Sequence, residues 1–421
     1  MEAAFTTWGA LAGLALAVAL IMRRMTPAYA LVLGAFVGGL VGGGGLAGTV
    51  SAMISGTQSM MPSVLRILAS GVLVGALVKT GSAVKIADAI VNALGTRFAL
   101  AAVAIAALVV TAVGVFVDIA VITVAPVALA VGRRAGIPVP ALLLAMVGGG
   151  KAGNVISPNP NTIAVAEAFR LDLTSLMAAN IIPAAAALAV AVLLSGWLAR
   201  RWKVCATTLD VDADSDPQSG APSLLQAALG PVTTVALLSL RPVCGVVVDP
   251  LVALPAGGVV AVLACGRWRH AASYADFGLS KVVGVCVLLI GTGTVAGIVK
   301  GSGLNADMIA LLDMCRLPTW AIAPVSSVLL SGATASTTAG VTIAAQTFSG
   351  ALAEAGVPTL SAAAMLHAGG TIFDALPHGS FFHATAGSVG MSVKDRLRLF
   401  PFGTLVGATS TIASIVVYLL R

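Results

Sequence analysis

Charge is what this sequence most lacks. Only 9% of its 421 residues are Asp, Glu, Lys or Arg, where a soluble globular chain carries about 25%. A water-facing surface needs more than that, so lipid is the solvent for most of the chain. Cysteine is also sparse: Cys205, Cys244, Cys265, Cys286 and Cys315 are scattered without metal or redox spacing. They imply no disulfide framework and no bound metal, and read as small apolar packing residues. The enzyme signatures sought, HExxH, GxSxG and acids paired at catalytic spacing, do not occur, and nothing resembles an ATP-binding motif. The glycine-rich run "GLVGGGGLAG" (39–48) follows no strand and carries no P-loop lysine, so it reads as a flexible or close-packed connection. The formal charge of +7 is no nucleic-acid signature, because Lys and Arg sit in short clusters beside apolar runs, where they set orientation against a bilayer. No cofactor is expected.

What is present is hydrophobicity. Residues of that class make up 58% of the chain, in recurrent runs of the length an α-helix needs to cross a hydrocarbon core of about 30 Å. Arg23-Arg24 follow the run Trp8 to Met22 rather than preceding it, so the first run reads as a retained span and not a secretion signal. Further runs fall at 27–44, 64–79, 98–132, 139–169 and 176–199, then at 224–240, 249–266, 281–299, 318–349, 359–390 and 400–420. Between the two sets, "CATTLDVDADSDPQSGAPS" (205–223) has four aspartates and reads as a solvated cytoplasmic linker. The expected organisation is a first membrane repeat at 1–204, the linker at 205–223 and a second repeat at 224–421.

A shift of about 220 residues places "AGIP" (135–138) on "AGVP" (355–358) and Gly149-Gly150 on Gly369-Gly370, which is the mark of an internal duplication. Treating 98–132 and 318–349 as re-entrant hairpins leaves five crossings per half. An odd number inverts the second half relative to the first. With the amino terminus outside, sixteen of the 23 basic residues then lie inside and six outside, as the positive-inside rule requires. Two ordinary spans per hairpin give the same sidedness, so length decides: Ile119 to Gly132, about 14 residues or roughly 21 Å of helix, is short for a crossing. The expected fold is an all-α polytopic membrane protein of two inverted-topology repeats, each with a re-entrant hairpin and a broken transmembrane helix.

Four polar interruptions fall within the apolar runs: 112–120 and 331–340 at the hairpin tips, 153–161 and 369–380 inside spans. Irregular backbone at membrane depth is tolerated where it is buried in protein or lines an aqueous cavity, and paired discontinuous helices mark the substrate site of secondary transporters. In "GNVISPNPN" (153–161) the prolines unwind the span, and Asn and Ser side chains can satisfy the freed backbone.

The segments "GVFVDIAVITVAPVALAVGRRAGIP" (114–138) and "FFHATAGSVGMSVKDRLRLF" (381–400) resemble the gluconate:proton symporter (GntP) family within the ion transporter superfamily. The resemblance covers nearly the whole chain. Where gluconate permeases have a histidine followed by a Pro-Pro-x-Pro-Gly-Pro run, this chain has Gly153 and then Ser157-Pro158-Asn159-Pro160-Asn161. "LPHG" (376–379) and "TASTTAG" (334–340) are closer to the hydroxybutyrate-like branch. The resemblance implies proton-coupled symport of a small hydroxy-monocarboxylate into a bacterium through its inner membrane, with a homodimer as the candidate assembly. Sodium coupling or organic-anion exchange is the alternative within transport, and an intramembrane enzyme the alternative outside it.

Candidate substrate contacts are Lys151, Asn154, Ser157, Asn159, Asn161, Ser331, Thr334, Ser336, Thr337, Thr338 and His378; candidate coupling acids are Asp118 and Asp374. Asp118 has no charge within ten residues, which suits proton coupling or, equally, a cap on the helix that follows. Asp374 pairs with His378 if a helical turn connects them. Lys151 either neutralises a substrate carboxylate or snorkels into a polar vestibule. The hydroxyls of 331–338, with helix N-terminal amides, suit an anion; alternatively small residues let helices approach closely. His367 and His383 read as packing residues.

Overall fold

The computed structural model describes residues 4–202, 221–304, 318–377 and 379–420, together with 307, 310 and 314. Among these the regular structure is entirely helical. The first half holds α1 (Thr7–Met22), α2 (Pro27–Val41), α3 (Gly45–Gln58), α4 (Met61–Lys79), α5 (Ser82–Leu94), α6 (Ala99–Ala112), α7 (Val117–Ala135), α8 (Val139–Asn154), α9 (Pro160–Ala168), α10 (Leu173–Ala179) and α11 (Ile181–Arg201). The second holds α12 (Leu224–Cys244), α13 (Pro250–Ala264), α14 (Ala271–Lys300), α15 (Ile322–Thr334), α16 (Thr337–Glu354), α17 (Thr359–Gly369), α18 (Ser380–Gly387) and α19 (Val393–Leu419). Most of the expected linker lies outside the described residues.

Local chemistry sets many of these boundaries. Thr6 caps α1 by accepting the Gly9 N–H at 3.2 Å, and Asp249 caps α13 by accepting the Leu251 N–H at 2.8 Å. Proline opens α2, α9 and α13 at the first helical position, where its missing N–H costs no hydrogen bond. Left-handed glycines at Gly81 and Gly136 mark the end of α4 and the C-cap of α7.

Four helical segments among the described residues are long and apolar enough to cross a bilayer: α4, α11, the 268–300 run that contains α14, and α19. Ser82–Leu94 and Thr96–Ala112 pass the same test together but are bent by 104°. Five shorter apolar segments, including α1, α2 and α13, accompany them. The chain is therefore a polytopic membrane protein.

Several boundaries depart from the sequence expectation. The glycine run at 39–48 is not a simple connection, because α3 begins inside it at Gly45. Helix α5 occupies the stretch between the expected runs 64–79 and 98–132; its apolar side, including Ile86, Ala87 and Val91, is buried while Lys85 and Asp88 are not. In the first hairpin α7 has 19 residues and not the 14 expected for the second arm, which leaves α6, with 14 residues or about 21 Å, as the short arm. Helix α14 starts at Ala271, ten residues before the span expected from 281, because no breaker separates "AASYADFGLS" from the apolar run.

Helices α7, α8, α9 and α10 begin at Val117, Val139, Pro160 and Leu173, and α16, α17, α18 and α19 begin at Thr337, Thr359, Ser380 and Val393, each 220 residues later. The 220-residue spacing of a few sequence matches is also the spacing of these four pairs of helix starts. By the same offset α4 corresponds to 281–299 of α14, and these two helices pack on each other. Val64 meets Cys286, Gly71 faces Gly278 and Val282, and Gly75 faces Tyr274. Partner numbers fall as α4 numbers rise, so the helix and its counterpart run in opposite directions. Glycine is required at this crossing: a methyl on Gly278 would meet the Gly71 carbonyl, and one on Gly75 the Tyr274 carbonyl.

Candidate functional site

The first broken helix is held open by its own side chains. Asn159 is the N-cap of α9, its Oδ1 accepting the N–H groups of Asn161 at 2.9 Å and Thr162 at 3.1 Å. Its Nδ2 donates to the Asn154 carbonyl at 3.0 Å and to Asn154 Oδ1 at 2.6 Å, so the two ends of the break are joined. Asn161 Nδ2 also donates to Asn154 Oδ1, at 3.0 Å. Ser157 Oγ donates to the Thr111 carbonyl near the end of α6, at 2.6 Å. These bonds supply the partners that buried backbone loses when a helix unwinds.

The hairpin tips are equally ordered. Ala335 takes φ 47° between α15 and α16, and Ser336 caps α16 by accepting the Ala339 N–H at 3.3 Å. At the other tip, Asp118 Oδ1 accepts the Ile119 N–H at 2.9 Å in the first turn of α7.

These tips and breaks meet around one cavity of about 600 Å³. Its wall includes the first residues of α7 and α16, Asn154 and Asn161 from the first broken helix, and Asp374 and Ser380 from the second. Of the residues expected from sequence, Asp118, Asn154, Asn161, Thr334, Ser336, Thr337, Thr338 and Asp374 line it. Lys151, Ser157, Asn159 and Ser331 are buried but do not line it. His378 lies outside the described residues, so its pairing with Asp374 does too.

Asp374 has a different partner, one that the sequence did not reveal. Lys151 Nζ stands 2.6 Å from Asp374 Oδ1 in an ion pair whose side chains are 2% and 5% exposed. Lys151 also donates to the carbonyls of Thr371 at 2.6 Å and Gly403 at 3.2 Å. The vestibule reading of Lys151 is thereby corrected: a satisfied lysine has no reason to snorkel. Thr337 Oγ1 donates to Asp374 Oδ2 at 2.7 Å, so one carboxylate joins α8, the second break and the start of α16. Arg396 is buried nearby, its guanidinium 5.5 Å from the Phe382 ring and close enough to Asp374 for electrostatic attraction. His367 is fully buried with neither ring nitrogen bonded, and His383 Nε2 lies 2.7 Å from the Pro377 carbonyl.

Lys281 is the wall residue that sequence reasoning missed. It is the first residue of the span expected from 281, and the ten-residue extension of α14 puts it inside a continuous helix. The unbroken helix-forming stretch before it was the available signal. At a distance from this cavity, Arg66 on α4 makes a forked pair with Asp249, at 3.1 and 2.8 Å, and an ion pair with Glu167 on α9, tying the two halves together.

The whole arrangement is similar to known transport proteins. The Alcanivorax borkumensis YdaH transporter, whose crystal structure is described as having an unusual topology, has a TM-score of 0.67 at 16% identity, over 97% of this chain and 98% of that one. Neisseria gonorrhoeae MtrF, described among antimetabolite efflux pumps, has a TM-score of 0.56 at 14% identity, over 89% and 84%. At those identities the likeness concerns the fold. A Haemophilus influenzae protein described as an uncharacterized transporter is 48% identical over 411 residues, 97% of each chain. The GntP family permease model matches residues 6–421, and with that relative it places the chain in the family: this protein is a GntP family permease.

Proposed function

We propose that this permease carries a small hydroxy-monocarboxylate, of the gluconate or 3-hydroxybutyrate kind, into a bacterial cell across the inner membrane, coupled to protons. Alternating access takes place about two inverted repeats, 1–204 and 224–421, joined by a cytoplasmic linker. The observation that carries the reading is the cavity of about 600 Å³ where both hairpin tips and both broken helices converge. Free N–H groups and positive dipole ends at the starts of α7 and α16 favour an anion there.

Two further observations support it. The antiparallel packing of α4 on its repeat counterpart in α14 fits an axis lying in the membrane plane. Asn154 Nδ2 and Asn161 Oδ1, on two wall residues, are buried without a hydrogen-bond partner, a donor and an acceptor matched to a substrate hydroxyl. Asp118 is the coupling acid: protonation removes a negative charge from the wall, so proton and anion favour each other's binding, a reciprocal linkage.

Counterflow in proteoliposomes, with labelled gluconate, 3-hydroxybutyrate and glycerate, tests the substrate class. Exchange of at least one acid, with the label recovered unchanged, is expected. No exchange of any hydroxy acid overturns the assignment; an altered label makes the protein an enzyme. Accumulation driven by sodium rather than by an acidic medium replaces the coupling ion while keeping the site.

A further inference from the structure

We infer that Lys281 is the residue that recognises the substrate carboxylate, and that the charge-reading element of this carrier therefore sits on α14 rather than on either hairpin or broken helix. The inference rests on the cavity being the substrate site. Among the described residues of its wall, Lys281 is the one with a cationic side chain. Of the other nearby bases, Lys151 is neutralised by Asp374 and bonded to two carbonyls, and Arg396, whose Nε and Nη2 have no hydrogen-bond partner among the described residues, is buried against Phe382 and does not reach the wall.

Lys281 has no such closure. Among the described residues no carboxylate lies within 4 Å of it. Its Nζ rests 4.9 Å from the centroid of Phe277, a ring that also carries Lys79 at 4.4 Å. The Lys281 side chain is exposed, and one shared aromatic ring is a weak partner beside a second cation. Asp118 attracts it across the cavity without forming a close ion pair. An ammonium at the wall, facing helix N-termini and unpaired amides, suits one end of a hydroxy acid; the amides suit the other.

The position also has a consequence for transport. Helix α14 packs closely on α4 through glycine contacts, whereas Asp118 is on a hairpin tip. A carboxylate bound between them neutralises Lys281 and spans the two elements, so substrate charge is read at the boundary that alternating access must rearrange.

The test compares Lys281→Gln, Lys281→Arg and Lys79→Gln in proteoliposomes, using 3-hydroxybutyrate and gluconate as the probes and the methyl ester of 3-hydroxybutyrate as the neutral competitor. Lys281→Gln should raise KM at least tenfold and remove the preference for the acid over its ester. Lys281→Arg should keep that preference, and Lys79→Gln, off the wall, should leave KM within twofold. Retention of the acid preference by Lys281→Gln, or an equal loss in Lys79→Gln, overturns the inference. Should Lys281→Gln fail to fold, Lys281→Arg decides: loss of the acid preference in that variant counts against recognition by charge. If Asn161→Ala abolishes exchange while Lys281→Gln does not change KM, the site stands and Lys281 is not its reader; if the wild type exchanges neither acid, the site reading fails and this inference with it.

Discussion

Replacing Lys151 with methionine should destabilise the protein by about 3–5 kcal/mol, and replacing Asp374 as well should recover much of that loss. The pair is 2.6 Å apart with both side chains almost fully buried. Removing one member of a buried ion pair leaves an uncompensated charge, the expensive outcome, whereas removing both is often close to neutral. Lys151→Met would strand the Asp374 carboxylate with Thr337 as its remaining direct donor among the described residues and would leave the Thr371 and Gly403 carbonyls without Nζ. Asp374→Asn preserves an acceptor for Thr337 but leaves Lys151 and the neighbouring Arg396 as two buried cations. The double variant Lys151→Met/Asp374→Asn removes both charges of the pair and leaves one buried cation, Arg396, where Asp374→Asn alone leaves two. A coupling energy near 3 kcal/mol is therefore expected, at the upper end for residues in direct contact. Thermal and denaturant unfolding of the purified protein in detergent, followed by tryptophan fluorescence, measures it. If the double variant is as unstable as the sum of the singles to within about 0.5 kcal/mol, the pair is not a structural unit, and Lys151 is free to act on substrate.

Three further outcomes follow from the geometry. Gly278→Ala should cost about 1–3 kcal/mol by overpacking, because its methyl meets the Gly71 carbonyl in a crossing of two backbones; Gly284→Ala, which meets nothing within 4 Å, is the matched control, and equal melting of the two would refute the close approach. Asp118→Asn mimics the protonated acid, so it should abolish accumulation driven by an acidic medium while preserving exchange; continued uphill accumulation would move the coupling acid elsewhere. Single cysteines introduced at Arg134 and Arg201 should react with impermeant reagents from the cytoplasm, and one at Glu354 from outside. Labelling of positions 134 and 354 from the same side would refute the inversion.

Local features of this fold were legible because local chemistry makes them. The break at 153–161 was readable from Pro158 and Pro160, which cannot donate, and from the asparagines beside them, which can. The boundaries of α8 and α17 were readable from glycine and proline at the same spacing in both halves. Features that depend on distant partners were not. Nothing near Lys151 announces that its carboxylate lies 223 residues away, and the nearer His378 was the natural but different guess for Asp374. Lys281 was hidden for another reason: a lysine at the rim of an apolar run looks like a topological anchor unless the polar stretch before it is recognised as helix.

The 220-residue spacing of the helix starts does not extend to the charges around the cavity. Each ionisable group around the cavity has an uncharged counterpart 220 residues away: Asp118 answers to Thr338, Lys151 to Thr371, Asn154 to Asp374, Met61 to Lys281 and Leu176 to Arg396. Counterparts can come close where two halves meet about an axis, and Lys151 donates to the carbonyl of its own counterpart, Thr371. Had both copies kept a lysine there, two ammonium groups would crowd one buried space, where repulsion is strongest. Threonine at 371 brings no second charge, and its backbone carbonyl serves as acceptor. Asn154 and Asp374 divide the same way, one remaining an amide that holds the first break together, the other a carboxylate that neutralises Lys151. The helix starts can thus keep a 220-residue spacing while the charges depart from it, and in the proposed site a single small anion would meet one cation and one set of amides rather than two equivalent half-sites.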